Sequence, residues 1–194
     1  MKVWAYKHPE LNILCCALLQ NAVPSNVVSY EFDVEDTSDI ILDNGIIRTK
    51  TSAEKLAEKK VKQLQSFSDI ITNHITKNYP DVKQRSDLSD KENGESYILL
   101  KGIDTINFRK DIADIVISLY PNFTSALDAI KQKYNDANND LVNYWIEQLL
   151  KVAFRQYFIF LCKQEFYRVK GLLMNATDEA QFPEINLPNF PEGL

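Results

Sequence analysis

Residues 140–171 read DLVNYWIEQLLKVAFRQYFIFLCKQEFYRVKG and decide the fold class of this 194-residue chain. As one helix they would run for roughly 45 Å, beginning at a cap on Asn139 or Asp140 and ending at Gly171. Apolar side chains take up most of the circumference and leave one narrow polar stripe: Glu147, Lys151 and Arg155. Because a helix of this kind must be covered on several sides, the stretch predicts the central helix of a helical core.

The same stretch is a poor candidate for a membrane span. Its longest uncharged run, residues 156–162, has seven residues, whereas a spanning helix needs about 20 apolar residues. We therefore expect a soluble domain that makes no membrane contact.

Composition narrows the classes of protein further. The net charge of −5, from 22 basic and 27 acidic residues, disfavours broad nucleic-acid binding because that binding needs surplus cations. Five glycines argue against a glycine-rich phosphate loop. Three cysteines without a CxxC pair, and no signal peptide, indicate a reducing compartment such as the cytoplasm.

Residues 1–50 are typical of β-structure. Val28, Tyr30, Phe32 and Val34 alternate with polar residues, which is the period of a half-buried strand. Asn44-Gly45 between two apolar runs predicts a two-residue hairpin turn. We expect a small antiparallel sheet of three to five strands that packs on the helices or on another chain.

Residues 51–174 are typical of a helical bundle. Thr51-Ser-Ala-Glu54 is a capping box that opens a long amphipathic helix to Asn78. Its apolar side chains would pack on the central helix or pair with a second copy of the chain. Further helices are predicted over residues 81–101, with a possible break at Asn93-Gly94, over 104–120, and from a second capping box at Ser125 to Tyr134. The predicted fold is α+β, with units at 1–50, 51–174 and 175–194.

The segment 175–194 is rich in proline but keeps apolar side chains. Prolines exclude a helix, and an extended segment with apolar anchors suits a groove. That groove would lie on the same chain or on a partner. We list the partner-binding candidates of the segment as Phe182, Ile185, Leu187 and Phe190.

No motif in the sequence indicates catalysis or a cofactor. His8, Cys15 and Cys16 are three ligand types for zinc but lack a fourth, and His74 has no triad context. Lysines 55, 59 and 62 share a helix face with acidic neighbours, which is typical of a solvent face. Trp145, Phe154 and Phe158 are expected in the core, with an apolar-ligand pocket as the alternative. We expect no metal and no cofactor.

Two stretches carry a family resemblance. The β-rich start, the Asn44-Gly45 hairpin and the helix TSAEKLAEKKVKQL from Thr51 resemble small tail-associated proteins of bacteriophages and prophages, as does the run YPDVKQRSDLSDK from Tyr79. The resemblance covers roughly residues 25–100. It implies a tail-fibre assembly chaperone or a minor tail component, in the host cytoplasm or the virion, with tail-fibre or baseplate proteins as partners.

The functional hypothesis is a non-enzymatic interaction protein, with a homo-oligomer possible. It would use edge strands of the β-rich unit, whose candidate residues are Val28, Tyr30 and Phe32, together with the C-terminal segment. The alternative is a helical domain that binds a small apolar ligand beside the central helix. An enzyme would need acidic side chains converging on His74.

Overall fold

The computed structural model describes residues 1–134, 136 and 139–194, and it confirms the predicted α+β class. Its strands are β1 Lys2–Lys7, β2 Leu14–Ala17, β3 Ser29–Asp33, β4 Ile40–Asp43 and β5 Ile46–Thr49. Its helices are α1 Ser52–Asn78, α2 Asp81–Leu100, α3 Thr105–Leu119, α4 Phe123–Tyr134 and α5 Asp140–Asn175. No helix in the described ranges has the length and apolar character that a membrane crossing requires.

The chain divides into two compact units within α1. The first holds residues 1–63 and 177–181, and the second holds residues 64–176 and 182–194. The division therefore falls inside the helix, whereas the sequence suggested a boundary at residue 50.

The first unit contains five strands in two antiparallel sheets. One sheet has the order β2-β1-β3, and the other is the β4-β5 hairpin. Asn44 and Gly45 have φ angles of 49° and 86°, as the predicted tight turn requires. A small core holds the unit together: Val3, Ala5, Val34 and Ile40 are buried, and Leu14, Phe32 and Ile47 pack against them.

The start of α1 is fixed by the predicted capping box. The Thr51 hydroxyl accepts a hydrogen bond from the Glu54 amide at 3.2 Å, and the Glu54 carboxylate accepts one from the Thr51 amide at 2.7 Å. Arg48 donates to both Glu54 and Asp43. Hydrogen bonds from Arg48 and Thr51 lower the pKa of Glu54 to about 2. The hairpin and the helix start are thus joined by charge-assisted hydrogen bonds.

The second unit is built around α5, as the sequence predicts. Its largest core cluster joins α5 to α2, α3 and α4. Phe67 of α1 packs with Val169 and Leu173, and Ile71 packs with Phe158 and Cys162. The expectation that α1 packs on the central helix is confirmed from residue 64 onward.

Two predicted helix boundaries were wrong, and the break considered at Asn93-Gly94 does not occur. Helix α2 runs unbroken through Gly94. The glycine serves the contact between α2 and α5, since a Cβ at this position would lie 2.8 Å from Cε3 of Trp145. Helix α4 begins at Phe123, capped by Asn122 rather than Ser125, whose amide donates to the Asn122 side chain at 3.0 Å. Helix α5 continues past Gly171 to Asn175.

Candidate interaction site

Strand β2 forms one outer edge of the three-stranded sheet. It pairs with β1 in a register that places Cys15 opposite Tyr6 and Cys16 opposite Ala5. The His8 amide donates to the Ile13 carbonyl at 2.8 Å, so these two residues form a hydrogen-bonded pair. Because such pairs occur at every second residue of an antiparallel ladder, Cys15 and Ala17 are the β2 residues that hydrogen-bond to β1. The backbone N–H and C=O groups of the alternate residues, Leu14 and Cys16, therefore point away from β1, toward the open edge.

Large aliphatic side chains surround this edge. Four of them lie within nine residues and are between 51% and 64% exposed: Leu11, Ile13, Leu18 and Leu19. Single exposed apolar residues are ordinary on a protein surface, but a group on the two segments that flank one strand is typical of an interaction site. Residues 14–17 carry no charged side chain, and charges are what usually protect an edge strand from pairing.

Strand β3 forms the opposite edge and differs in its chemistry. Glu31 pairs with Lys2 at 2.6 Å, and Asp33 adds a second carboxylate. Of the residues predicted to bind a partner here, Tyr30 is half-exposed, whereas Phe32 packs into the small core. Val28 is exposed and precedes the strand. The charged side chains make this edge less suited to an incoming strand than the β2 edge.

The C-terminal segment occupies a groove on its own chain. Phe182 and Ile185 pack with Phe67 and Val169. The intramolecular alternative for this segment is therefore confirmed.

Further along the segment, Leu187 and Phe190 pack in the cluster that contains Ile71 and Phe158. Binding of a partner through the predicted residues Phe182, Ile185, Leu187 and Phe190 stays a prediction, and it would require their displacement.

Hydrogen bonds to the backbone also hold this segment. The carbonyl of Pro188 lies 2.8 Å from Nε2 of His74, and the carbonyl of Glu184 accepts a hydrogen bond from Arg168 at 2.8 Å. His74 is thus used to anchor the segment, and its ring lies against Phe158 with centroids 5.3 Å apart.

The remaining candidates for chemistry have structural partners. His8 Nδ1 accepts hydrogen bonds from the amides of Glu10 and Leu11, and the described residues contain no group of side chains arranged to hold a metal ion. Lys55 pairs with Asp39 at 2.5 Å, and Lys59 pairs with Glu179. These lysines belong to a face with interleaved acidic partners.

The second unit contains a buried ion-pair network that the sequence analysis did not predict. Asp87 of α2 is 1% exposed and accepts hydrogen bonds from Arg155 of α5 at 2.7 and 3.0 Å and from the Tyr79 hydroxyl at 2.8 Å. Lys83 lies 2.6 Å from the same carboxylate. Burial would raise the pKa of Asp87, but the hydrogen bonds from Lys83, Arg155 and Tyr79 outweigh it and lower the pKa. Arg155, the last residue of the polar stripe of α5, is therefore buried and paired.

Two of the aromatic side chains considered for a ligand pocket are fully buried. The Phe154 ring packs against Tyr120 and Phe123, and the Phe158 ring packs against His74 and Phe190. Trp145, the third of these side chains, is partly buried against the same core cluster as Phe154.

Comparison of the chain with protein-family models, with curated proteins and with solved structures finds no match.

Proposed function

We propose that this is a non-enzymatic interaction protein that binds an extended segment of a partner protein at the open edge of β2. The observation that carries the proposal is the combination of outward-pointing backbone groups, an uncharged strand and four exposed aliphatic side chains beside it. An extended segment satisfies all three features, because it forms main-chain hydrogen bonds along the edge and buries apolar side chains next to it.

The small core of the first unit supports the same proposal. Only four buried side chains form the core cluster that its two small sheets share. A fourth strand beside β2 would cover apolar surface that is now exposed, and each 100 Å² removed from water contributes about 2.5 kcal/mol. Binding would therefore stabilise the sheet as well as hold the partner.

The resemblance to phage and prophage tail-associated proteins supplies the partner class in this proposal. The extended segment would belong to a tail-fibre or baseplate component, and the chain would act as an assembly chaperone or as a minor tail component. It would work in the host cytoplasm or in the virion. The acidic net charge of −5 is compatible with a protein partner.

The test uses two variants at one position of the strand. Cys16→Pro removes the outward-pointing N–H while the β1 ladder keeps its hydrogen bonds, a placement that edge strands tolerate. Cys16→Val keeps the N–H and is the matched control. We expect the wild type and Cys16→Val to capture the same protein from the native source and Cys16→Pro to lose it.

Hydrogen exchange of the purified complex then locates the interface. Protection of the Leu14 and Cys16 amides is expected. Capture that survives Cys16→Pro, or protection confined to other parts of the chain, would contradict the proposal. Light scattering then gives the oligomeric state of the purified wild type and of Cys16→Pro. If the wild type is a dimer and Cys16→Pro is a monomer, the β2 edge binds a second copy of this chain and not another protein.

A further inference from the structure

A second apolar surface lies in the helical unit, separate from the β2 edge. It is a pocket of about 380 Å³ between α2, α3 and α5, a size within the usual range for small-molecule sites. Its floor is formed by buried side chains, among them Phe108, Ile112 and Val152. Two alanines, Ala113 of α3 and Ala153 of α5, leave the space open between the helices.

The rim of this pocket carries a small set of polar groups. Arg109 and Glu95 form an ion pair in which the guanidinium donates hydrogen bonds to both carboxylate oxygens. The distance from Arg109 Nε to Glu95 Oε1 is 2.9 Å. Lys91 is half-buried on the rim, and none of the ion pairs among the described residues includes it. The pair and the lysine together give the rim one uncompensated positive charge, on a chain whose net charge is −5.

Two further polar side chains lie on the rim of the pocket. Gln156 and Tyr157 of α5 also line the pocket, and neither side chain forms a hydrogen bond with another described residue. The Tyr157 ring is held by stacking on Phe160 and by an edge contact with Tyr120. The rim thus offers one cation, one amide and one hydroxyl above an apolar floor.

We propose that this pocket binds an amphiphilic monocarboxylate, with its aliphatic chain on the apolar floor and its carboxylate at the Lys91 ammonium. A single unpaired cation matches a single negative charge, and the Glu95 carboxylate on the same rim disfavours a dianionic head group such as a phosphate monoester. The pocket volume fits a chain of medium length. This site differs from the predicted pocket, which placed the ligand against Trp145, Phe154 or Phe158, because none of these three side chains lines it.

The experiment measures binding of decanoate and of decanol to the purified full chain by isothermal titration calorimetry, below the concentration at which decanoate forms micelles. Decanoate is expected to bind at one site and more tightly than decanol. Lys91→Gln should weaken decanoate binding about fivefold, the size expected for a partly exposed charge pair, and should leave decanol binding unchanged. Lys170→Gln, an exposed lysine elsewhere on α5, is the matched control and should change neither.

A second variant tests the apolar floor. Ala153→Phe fills the space between α3 and α5 and should abolish binding of both ligands, with circular dichroism confirming that the helices are intact. Equal affinity for the two ligands in the wild type, an undiminished decanoate affinity in Lys91→Gln, or binding that persists in folded Ala153→Phe would overturn the proposal. None of these results depends on the β2 edge, so the two proposals fail separately.

Discussion

The two units of the chain differ in the size of the buried core that they form. In the described part of the helical unit, one cluster alone contains twelve buried side chains, and a charged network is enclosed as well. In the β-rich unit the buried core is Val3, Ala5, Val34 and Ile40, while four aliphatic side chains beside β2 remain exposed. The helical unit therefore has a large core of its own, whereas the small core of the β-rich unit lies beside an edge where a further strand could cover apolar surface.

The largest expected effect on stability comes from the buried ion-pair network of the helical unit. Asp87→Ala removes the carboxylate that Arg155, Lys83 and Tyr79 share and leaves the Arg155 guanidinium buried without its partner. We expect a loss of about 3–5 kcal/mol in the free energy of unfolding, measured by urea denaturation followed by helical circular dichroism.

The matched control is in the β-rich unit. Asp43→Ala removes one of two carboxylates that bind the half-exposed Arg48, which keeps Glu54. We expect a much smaller loss there, because exposed ion pairs contribute little. Equal losses in the two variants would contradict the contrast between the units.

The pH dependence of stability should expose the same network. The folded-state pKa of Asp87 is lowered, so its ionised form stabilises the fold above the ordinary carboxyl pKa of about 4 and that contribution is lost as the pH falls through the folded-state value. Asparagine does not titrate, so the stability of Asp87→Asn has no contribution from the ionisation of this side chain. The stability difference between wild type and Asp87→Asn should therefore shrink between pH 5 and the folded-state pKa, as measured by urea denaturation at a series of pH values. A difference that stays constant over that range would show that Asp87 is not the group involved.

A pair of glycine substitutions tests the tightness of the helix contacts. Gly94→Ala places a Cβ 2.8 Å from Trp145 and 3.2 Å from Leu149, so overpacking should outweigh the gain in helix propensity and cost about 1–2 kcal/mol. Gly171→Ala meets no atom within 4 Å and should stabilise α5 by about 0.5–1 kcal/mol. Thermal denaturation of both variants gives the signs, and a stabilising Gly94→Ala would refute the close approach of α2 and α5.

The smallest expected effect on stability belongs to the β2 edge. Replacing Leu18 and Leu19 together by lysine should change the free energy of unfolding by less than about 0.5 kcal/mol per site, because both side chains are exposed. The same double variant should lose partner capture, since lysines block an edge. Leu99→Lys with Leu100→Lys, an exposed pair at the end of α2, is the control and should keep capture.

Much of the fold could be predicted from local sequence signals. The Asn44-Gly45 turn, the Thr51 capping box and the long apolar run of α5 each act through neighbours in the chain, so their residues are visible in the sequence. The glycines misled the prediction because the spacing of residues does not show their surroundings. Gly94 sits where two helices touch, and Gly171 faces open space, so neither ends its helix.

Features that depend on distant residues could not be predicted. Asp87 and Arg155 are 68 positions apart, and only the packing of α2 on α5 pairs them. The alternation in residues 28–34 correctly indicated a strand but could not tell which strand lies at the uncharged edge. That choice depends on the order β2-β1-β3, which the sequence does not contain.

The position of the C-terminal segment on α1 and α5 also has a consequence for folding during synthesis. His74 meets Pro188 across 114 positions of the chain, and Ile71 and Phe158 lie in the cluster that Phe190 joins. A ribosome adds about 5–20 residues per second, so His74 is synthesised roughly 6–23 seconds before Pro188. Phe158, Val169 and Leu173 of α5 are synthesised before the C-terminal segment and contact α1 in the folded chain, so a nascent chain that ends near residue 181 would lack only the cover given by Phe182, Ile185, Leu187 and Phe190.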